Sequence, residues 1–355
     1  MTTQRPSQQG FTLIELMVAV TVGLLLLAGL STLFAGNNHA QMEIERANRQ
    51  VENGRYAMQL LGGDLRNAGF YSDFNPTALA LPKAAPDPCS TDIAVIRTAI
   101  VLPVQGYNDS AAALDCLKDA GVRADTDVVV VRHTATCIVD AADCEPAAFG
   151  GPFLQASQCD NLFELGHNDV SKYYNVDTHI NQLALHKRDC GPASGTGTAA
   201  DVRRLQTHIY FVSNNSSGTD GVPTLKRAEV TSQGANITVN IVPLAEGIEN
   251  MQLEYGMDTS NDGVADLYTI DPATASGCAD AECAVVNWNN VVSIKVNLLA
   301  RTLTPSMGHV DSKSYVLGAK ADGSDNTIAA TNDKYKRHVF SAVIGLPNPA
   351  GRKTS

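Results

Sequence analysis

Runs of basic charge are missing from this sequence: no more than two Lys or Arg residues stand side by side anywhere in its 355 residues. With 26 Lys plus Arg against 37 Asp plus Glu, the formal net charge is −11. Sequence-independent nucleic-acid binding needs a basic footprint that releases counterions, so no nucleic-acid partner is expected. Catalytic and metal signatures are missing as well. Neither G-x-S-x-G nor H-E-x-x-H occurs, the eight histidines are scattered, and no C-x-x-C pair sets up a zinc register. Gly195-Thr196-Gly197-Thr198-Ala199-Ala200 has the outline of a dinucleotide fingerprint, but it follows Cys190-Gly191-Pro192 rather than a strand, which removes the phosphate-binding reading. No enzyme is expected. A wholly disordered chain is excluded too, because 44% of the residues are hydrophobic and only 18% charged, enough apolar material for a packed core.

What the sequence does have begins at its N-terminus. Residues 1–10 are polar with one positive charge, Arg5; Phe11 to Ala35 then form an apolar run whose single charged side chain is Glu15. A helix of that length is about 37 Å long and crosses a hydrocarbon layer of about 30 Å. A secretory signal peptide would have a shorter apolar region of about 7–15 residues with its small-residue cleavage site on the far side. Here the only small-residue junction, Gly10 before Phe11, precedes the run. Arg5 before the span, and Glu43 and Glu45 after it, orient the rest of the chain outward. The eight cysteines all lie after residue 88 and so face an oxidising space, where an even count suggests disulfides. Glu15 is the anomaly. An ionised carboxylate in hydrocarbon costs about 2.5–3.5 kcal/mol, which marks it as a functional candidate; one turn inside the helix, it can also snorkel to the interface and favour the positive end of the helix dipole.

The string Gly10-Phe11-Thr12-Leu13-Ile14-Glu15-Leu16-Met17 resembles the prepilin leader junction of type IV pilins and of type II secretion pseudopilins. The resemblance implies that prepilin peptidase removes residues 1–10 after Gly10 and methylates the new amino terminus at Phe11. It also implies an assembly role for Glu15, whose carboxylate would pair with the amine of an adjoining subunit, so that both charges recover part of their desolvation cost. The segment Gln50–Phe70, QVENGRYAMQLLGGDLRNAGF, resembles PilW-type minor pilins, and so do Ile248–Tyr255, Val296–Arg301 and Lys336–Phe340. Nothing in the region from about 75 to 200 carries a resemblance.

After the span, Ile44, Ala47, Val51, Gly54, Met58, Leu61 and Leu65 recur at alternating spacings of three and four, a one-sided apolar stripe. The membrane or filament-core segment 11–35 and the amphipathic segment 36–68 therefore read as one helix of about 55 residues, ended by Asn67-Ala68-Gly69. Gly62-Gly63 is its weak point, where a bend is expected. Residues 69–355 read as a β-rich periplasmic or extracellular head. Strands are expected at 92–102, 127–133, 204–213, 236–242, 251–257, 291–302 and 337–346, with turn-rich stretches at 82–88, 190–197, 214–221, 258–263, 271–277 and 322–332. No helical pattern alternates with these strands, so a parallel doubly wound sheet is not expected. The fold expected is α+β and type IV pilin-like: a long N-terminal helix, transmembrane in its first half, packed on an antiparallel sheet with long disulfide-bearing loops.

Short separations suggest pairing of Cys278 with Cys283 and of Cys137 with Cys144, leaving Cys89, Cys116, Cys159 and Cys190 to pair among themselves in an order left open. Asp258, Ser260, Asp262 and Asp266, with Gly263, match the front half of a calcium loop, but Thr269 stands where an EF-hand needs its closing glutamate. The same residues also read as a hairpin turn through Asn261-Asp262-Gly263. His179 and His186 read as surface residues.

For function, the resemblance implies a minor pilin that primes type IV pilus assembly or sits at the filament tip, supporting twitching motility and adhesion. Its implied partners are other minor pilins, the major pilin, prepilin peptidase, the inner-membrane assembly machinery and a PilY-type tip adhesin. The implied location is the bacterial inner membrane with the head in the periplasm, then the pilus surface. Two alternatives stand beside it: a minor pseudopilin of type II secretion, and a binding or adhesin module in the 75–200 region.

Overall fold

The computed structural model describes residues 10–109, 114–191 and 195–353. Residues 1–9 of the expected leader lie outside them. The chain divides into two compact units, residues 1–49 and 50–355. Helix α1 (Leu13–Asn67) is a single run of 55 residues assigned helical without a break, Gly62 and Gly63 included.

In the N-terminal unit the apolar run is exposed on every side, with Leu25 73% and Phe34 69% exposed. Its most apolar stretch has a mean hydropathy of 2.5, and none of that stretch is buried. A helix apolar all round with no protein cover is suited to lipid rather than to water. Its threonine hydroxyls bond back to the helix: Thr21 donates to the carbonyls of Met17 (3.0 Å) and Val18 (2.9 Å), and Thr32 to that of Gly29 (2.8 Å). Past the apolar run, Arg46 pairs with Glu43 at 2.5 Å and Arg49 with Glu45 at 3.2 Å, the helical spacing of a water-facing segment.

The C-terminal unit is built on antiparallel strands. Strands β1 (Val104–Tyr107), β2 (Val128–Thr134), β3 (Phe153–Ala156), β4 (Tyr174–Asp177), β5 (Val202–Ser213), β6 (Thr224–Gln233) and β7 (Asn236–Glu246) form one sheet in the order β1-β2-β5-β3-β4, with β6 and then β7 added beside the C-terminal half of β5. The next strands are β8 (Ile248–Met257), β9 (Leu267–Thr269), β10 (Val291–Arg301), β11 (Tyr315–Ala319), β12 (Asp325–Ile328) and β13 (Arg337–Gly345). Four of them form a second sheet, β13-β10-β8-β9, and β11 pairs with β12. The single sheet expected is thus divided among three. The 75–200 region is no separate insertion: β1–β4 lie there, and β2 pairs with β5 from Val129 opposite Tyr210 to Thr134 opposite Leu205.

One core cluster joins these layers. Ala57, Leu61 and Leu65 of α1, with Ala68 just after it, meet Val129, Val131 and Tyr210 of the first sheet and Met251, Leu253, Ile294, Val296 and Leu298 of the second. The buried face of α1 begins at Gln50, not at Ile44, which is 61% exposed. Gln50 is polar but satisfied, its Nε2 donating to the carbonyls of Ala300 (2.7 Å) and Lys336 (3.0 Å). The helix ends where its sequence says it should. Gly69 takes φ +75°, a left-handed cap that glycine adopts at no steric cost. Helix α4 (Pro347–Lys353) satisfies the carbonyls left over: Asn348 donates to Ala68 O at 3.1 Å and Arg352 to Gly69 O at 2.5 Å.

One expected strand is a helix. Residues 92–102 form α2 (Ile93–Ala99), because Asp92 accepts the N–H of Ala94 at 2.8 Å as an N-cap and the buried positions, Ile96, Ala99 and Ile100, have helical spacing. Helix α3 (Ala281–Asn289) begins the same way, on Asp280. The expected turn stretch 322–332 contains β12.

Candidate functional site

At the head of α1 the octad residues build a local motif. Thr12 is the residue before the first helical position, and Glu15 is the third residue within. Glu15 Oε2 accepts the N–H of Thr12 at 2.9 Å and its hydroxyl at 2.8 Å, while Thr12 Oγ1 accepts the N–H of Glu15 at 3.4 Å. This is a reciprocal capping box, in which two otherwise orphaned helix-end donors are satisfied. The Thr-x-x-Glu spacing signals it, beside the snorkelling, dipole and assembly roles that the sequence suggests for Glu15. Gly10 and Phe11 precede the helix, and Phe11 is 89% exposed. Among the described residues Oε1 of Glu15 has no hydrogen-bond partner, so one carboxylate oxygen keeps the cap and the other faces outward.

The cysteines pair as Cys89–Cys116, Cys137–Cys144, Cys159–Cys190 and Cys278–Cys283. Three of the bridges close loops of the 75–200 region, and the fourth spans the start of α3.

In the loop between β8 and β9, the residues singled out for calcium have hydrogen-bond donors within the loop itself. Asp258, fully buried, accepts the N–H groups of Asn261 (2.6 Å), Asp262 (3.3 Å) and Gly263 (2.8 Å). Burial pushes its carboxyl up, but those three donors outweigh burial and hold it below the usual carboxylate range. Asp266 accepts the N–H groups of Thr259 and Ser260, Ser260 Oγ reaches both acids at 3.4–3.5 Å, and Asp262 caps Val264 N at 2.8 Å. β8 and β9 pair directly, Met257 opposite Leu267, so the segment is a hairpin with Asn261 and Gly263 at positive φ.

His179 is exposed, as read, but His186 is buried: its Nδ1 lies 2.7 Å from Glu164 Oε2, and Glu164 also accepts the Ser157 hydroxyl at 2.6 Å. A second buried polar centre is equally remote from sequence spacing. Arg337, its side chain 1% exposed, pairs with Glu249 at 2.5 Å, Asp311 at 2.9 Å and Asp333 at 2.7 Å.

An apolar, uncovered N-terminal helix continuing into an antiparallel β head defines a type IV pilin-like protein. The prokaryotic N-terminal methylation motif matches residues 5–31, and the family described as type IV pilus-assembly protein W matches residues 209–348. The two matches together are those of a PilW-type, prepilin-like sequence. Among solved structures it is similar to a type IV-like pilin from Thermus thermophilus, at 12% identity and a TM-score of 0.34, over 85% of this chain and 97% of that one. None of the curated proteins matches. The PilW match takes in the end of β5, β6 to β13 and the start of α4, and therefore the Glu249–Arg337 centre.

Proposed function

We propose that this chain is a minor pilin that primes type IV pilus assembly and sits at the filament tip with other minor pilins, in support of twitching motility and adhesion. The observation that carries the reading is the Gly10-Phe11…Glu15 motif on an exposed apolar helix. Prepilin peptidase would cut after Gly10, leaving a methylated amine on Phe11. The second oxygen of Glu15 would then accept the amine of an incoming subunit, a pairing worth most where lipid excludes water. Before assembly the chain would sit in the bacterial inner membrane with its head in the periplasm, where its disulfides form. A head of nearly 290 residues would crowd a shaft repeated many times, which supports a place at the tip, in contact with the major pilin and a PilY-type adhesin. We read the protein as structural rather than catalytic.

Mass spectrometry of the mature N-terminus tests the first step: methylated Phe11 is expected, and retention of residues 1–10 overturns the reading. Deletion of the gene tests the second. Loss of twitching with normal protein secretion is expected, whereas loss of secretion with normal twitching assigns the chain to a type II secretion machine instead.

A further inference from the structure

Three ligating side chains from three separate elements meet beneath the end of α1. Asp64 comes from α1, His133 from β2 and His208 from β5. Asp64 Oδ1 lies 2.7 Å from His133 Nε2, and Oδ2 lies 2.8 Å from His208 Nδ1. A ligand atom from each of the three stands within 4.8 Å of the others. All three side chains are 10% exposed or less. Sequence spacing hides the cluster, since Asp64 is 69 residues from one histidine and 144 from the other.

The surroundings select among occupants. His133 Nδ1 lies 2.9 Å from the carbonyl of Thr134. A carbonyl can only accept, so Nδ1 carries the hydrogen and Nε2 is the nitrogen presented to the cluster. A ring N–H anchored on a backbone carbonyl is the usual support of a metal-bound histidine. Nε2 faces a carboxylate oxygen, so without an ion that contact needs a shared proton, on the ring or on the carboxyl. A divalent cation meets the same lone pairs without it. The Tyr210 hydroxyl donates to Asp64 Oδ2 at 2.9 Å and itself accepts from Arg227 at 3.4 Å, which orients the carboxylate. Two imidazoles with one carboxylate suit zinc and its neighbours, whereas calcium and magnesium favour all-oxygen shells.

We propose that Asp64, His133 and His208 form a site for one divalent transition-metal ion of the zinc class, which fastens the end of α1 to the first sheet. The ion is structural, because the three side chains that would hold it are each 10% exposed or less.

The test uses the full chain in detergent micelles, without a polyhistidine tag and stripped with chelator. Calorimetric titration with zinc chloride is expected to show one ion per chain, with affinity lowered at least 100-fold in His133→Gln and in His208→Gln and unchanged in Asp262→Asn. No uptake by the parent chain, or equal uptake by the histidine variants, overturns the proposal. Should the buried substitutions unfold the head, cobalt(II) added to the parent chain decides. Visible absorption well above that of the aqueous ion is expected from nitrogen ligation, and a spectrum equal to that of the aqueous ion overturns the site.

Discussion

Asp127, just before β2, fastens the two large sheets to each other. Its N–H donates to Met251 O at 2.9 Å, and its carboxylate accepts from Leu253 N at 2.7 Å on β8 and from Asp109 N at 3.0 Å. The residue is 2% exposed. Burial is the largest influence on its carboxyl; the two N–H donors oppose it, the nearby Asp109 and Asp271 add to it, and the group is pushed up to about 7. Unfolded, it titrates near ~3.9. A group raised on folding favours the native state while it stays protonated, so this stabilisation is complete below about pH 4 and is lost as the pH rises through about 7. A rise of about three units at ~1.36 kcal/mol each amounts to about 4 kcal/mol. Asp127→Asn is neutral at every pH and removes that dependence, while its amide nitrogen leaves one N–H without an acceptor at a cost of about 1–3 kcal/mol.

The variant is therefore expected to be the less stable chain at pH 4.5 and to draw level with or pass the parent by pH 8.5. Urea unfolding of both full chains in micelles measures this through Trp288, the single tryptophan, which is 3% exposed and lies edge-on to Tyr255 at 4.8 Å. All other titrations are common to the two chains, so the difference between their pH profiles isolates Asp127. Parallel profiles, or a parent that gains on the variant as the pH rises, would refute the reasoning.

A Cβ added at Gly54 would overlap the ring of Phe340, so Gly54→Ala is expected to cost about 1–3 kcal/mol by thermal unfolding, with Phe340→Leu recovering part of it. Arg337→Met leaves Glu249 and Asp311 buried without their principal partner; a loss of about 3–5 kcal/mol is expected in urea, unless Arg123 at 3.3 Å takes over Glu249. Opening the Cys159–Cys190 bridge by double serine substitution frees a separation of 31 residues, for which loop entropy predicts about 3–4 kcal/mol of lost stability. Millimolar calcium is expected to leave the unfolding midpoint unchanged, since loop N–H groups already occupy both oxygens of Asp258 and Oδ2 of Asp266; a clear rise would favour the calcium reading over the plain hairpin.

What could be read from sequence was what neighbouring residues decide among themselves. The apolar run, the stop at Asn67-Ala68-Gly69 and the turn chemistry of Asn261-Asp262-Gly263 are local, and each appears in the fold at the residues that signal it. The octad is local too, and its capping box is carried by Thr12 three residues before Glu15 rather than by the charge of Glu15 alone. Residues 92–102 show the limit of such local signals: β-branched Ile93, Val95 and Ile96 resemble a strand, and the N-cap at Asp92 tips the balance to helix. Short strands such as β3, β4 and β9 offer three or four residues, too few for a period.

Distance along the chain hid the rest. Gln50 looks like a polar interruption until Ala300 and Lys336 arrive to accept its hydrogens. Asp64, His133 and His208 look like three unrelated titratable residues until α1 is laid on β2 and β5. In each case a polar side chain is tolerated in the interior because partners far away along the chain satisfy it, and contacts between distant residues are the slow ones to close. The buried polar centres should therefore form late and together with the sheet registry. Substitutions there would speed unfolding more than they slow folding, the opposite of what Ala57, Leu61 and Leu65 would do if the helix nucleates the head.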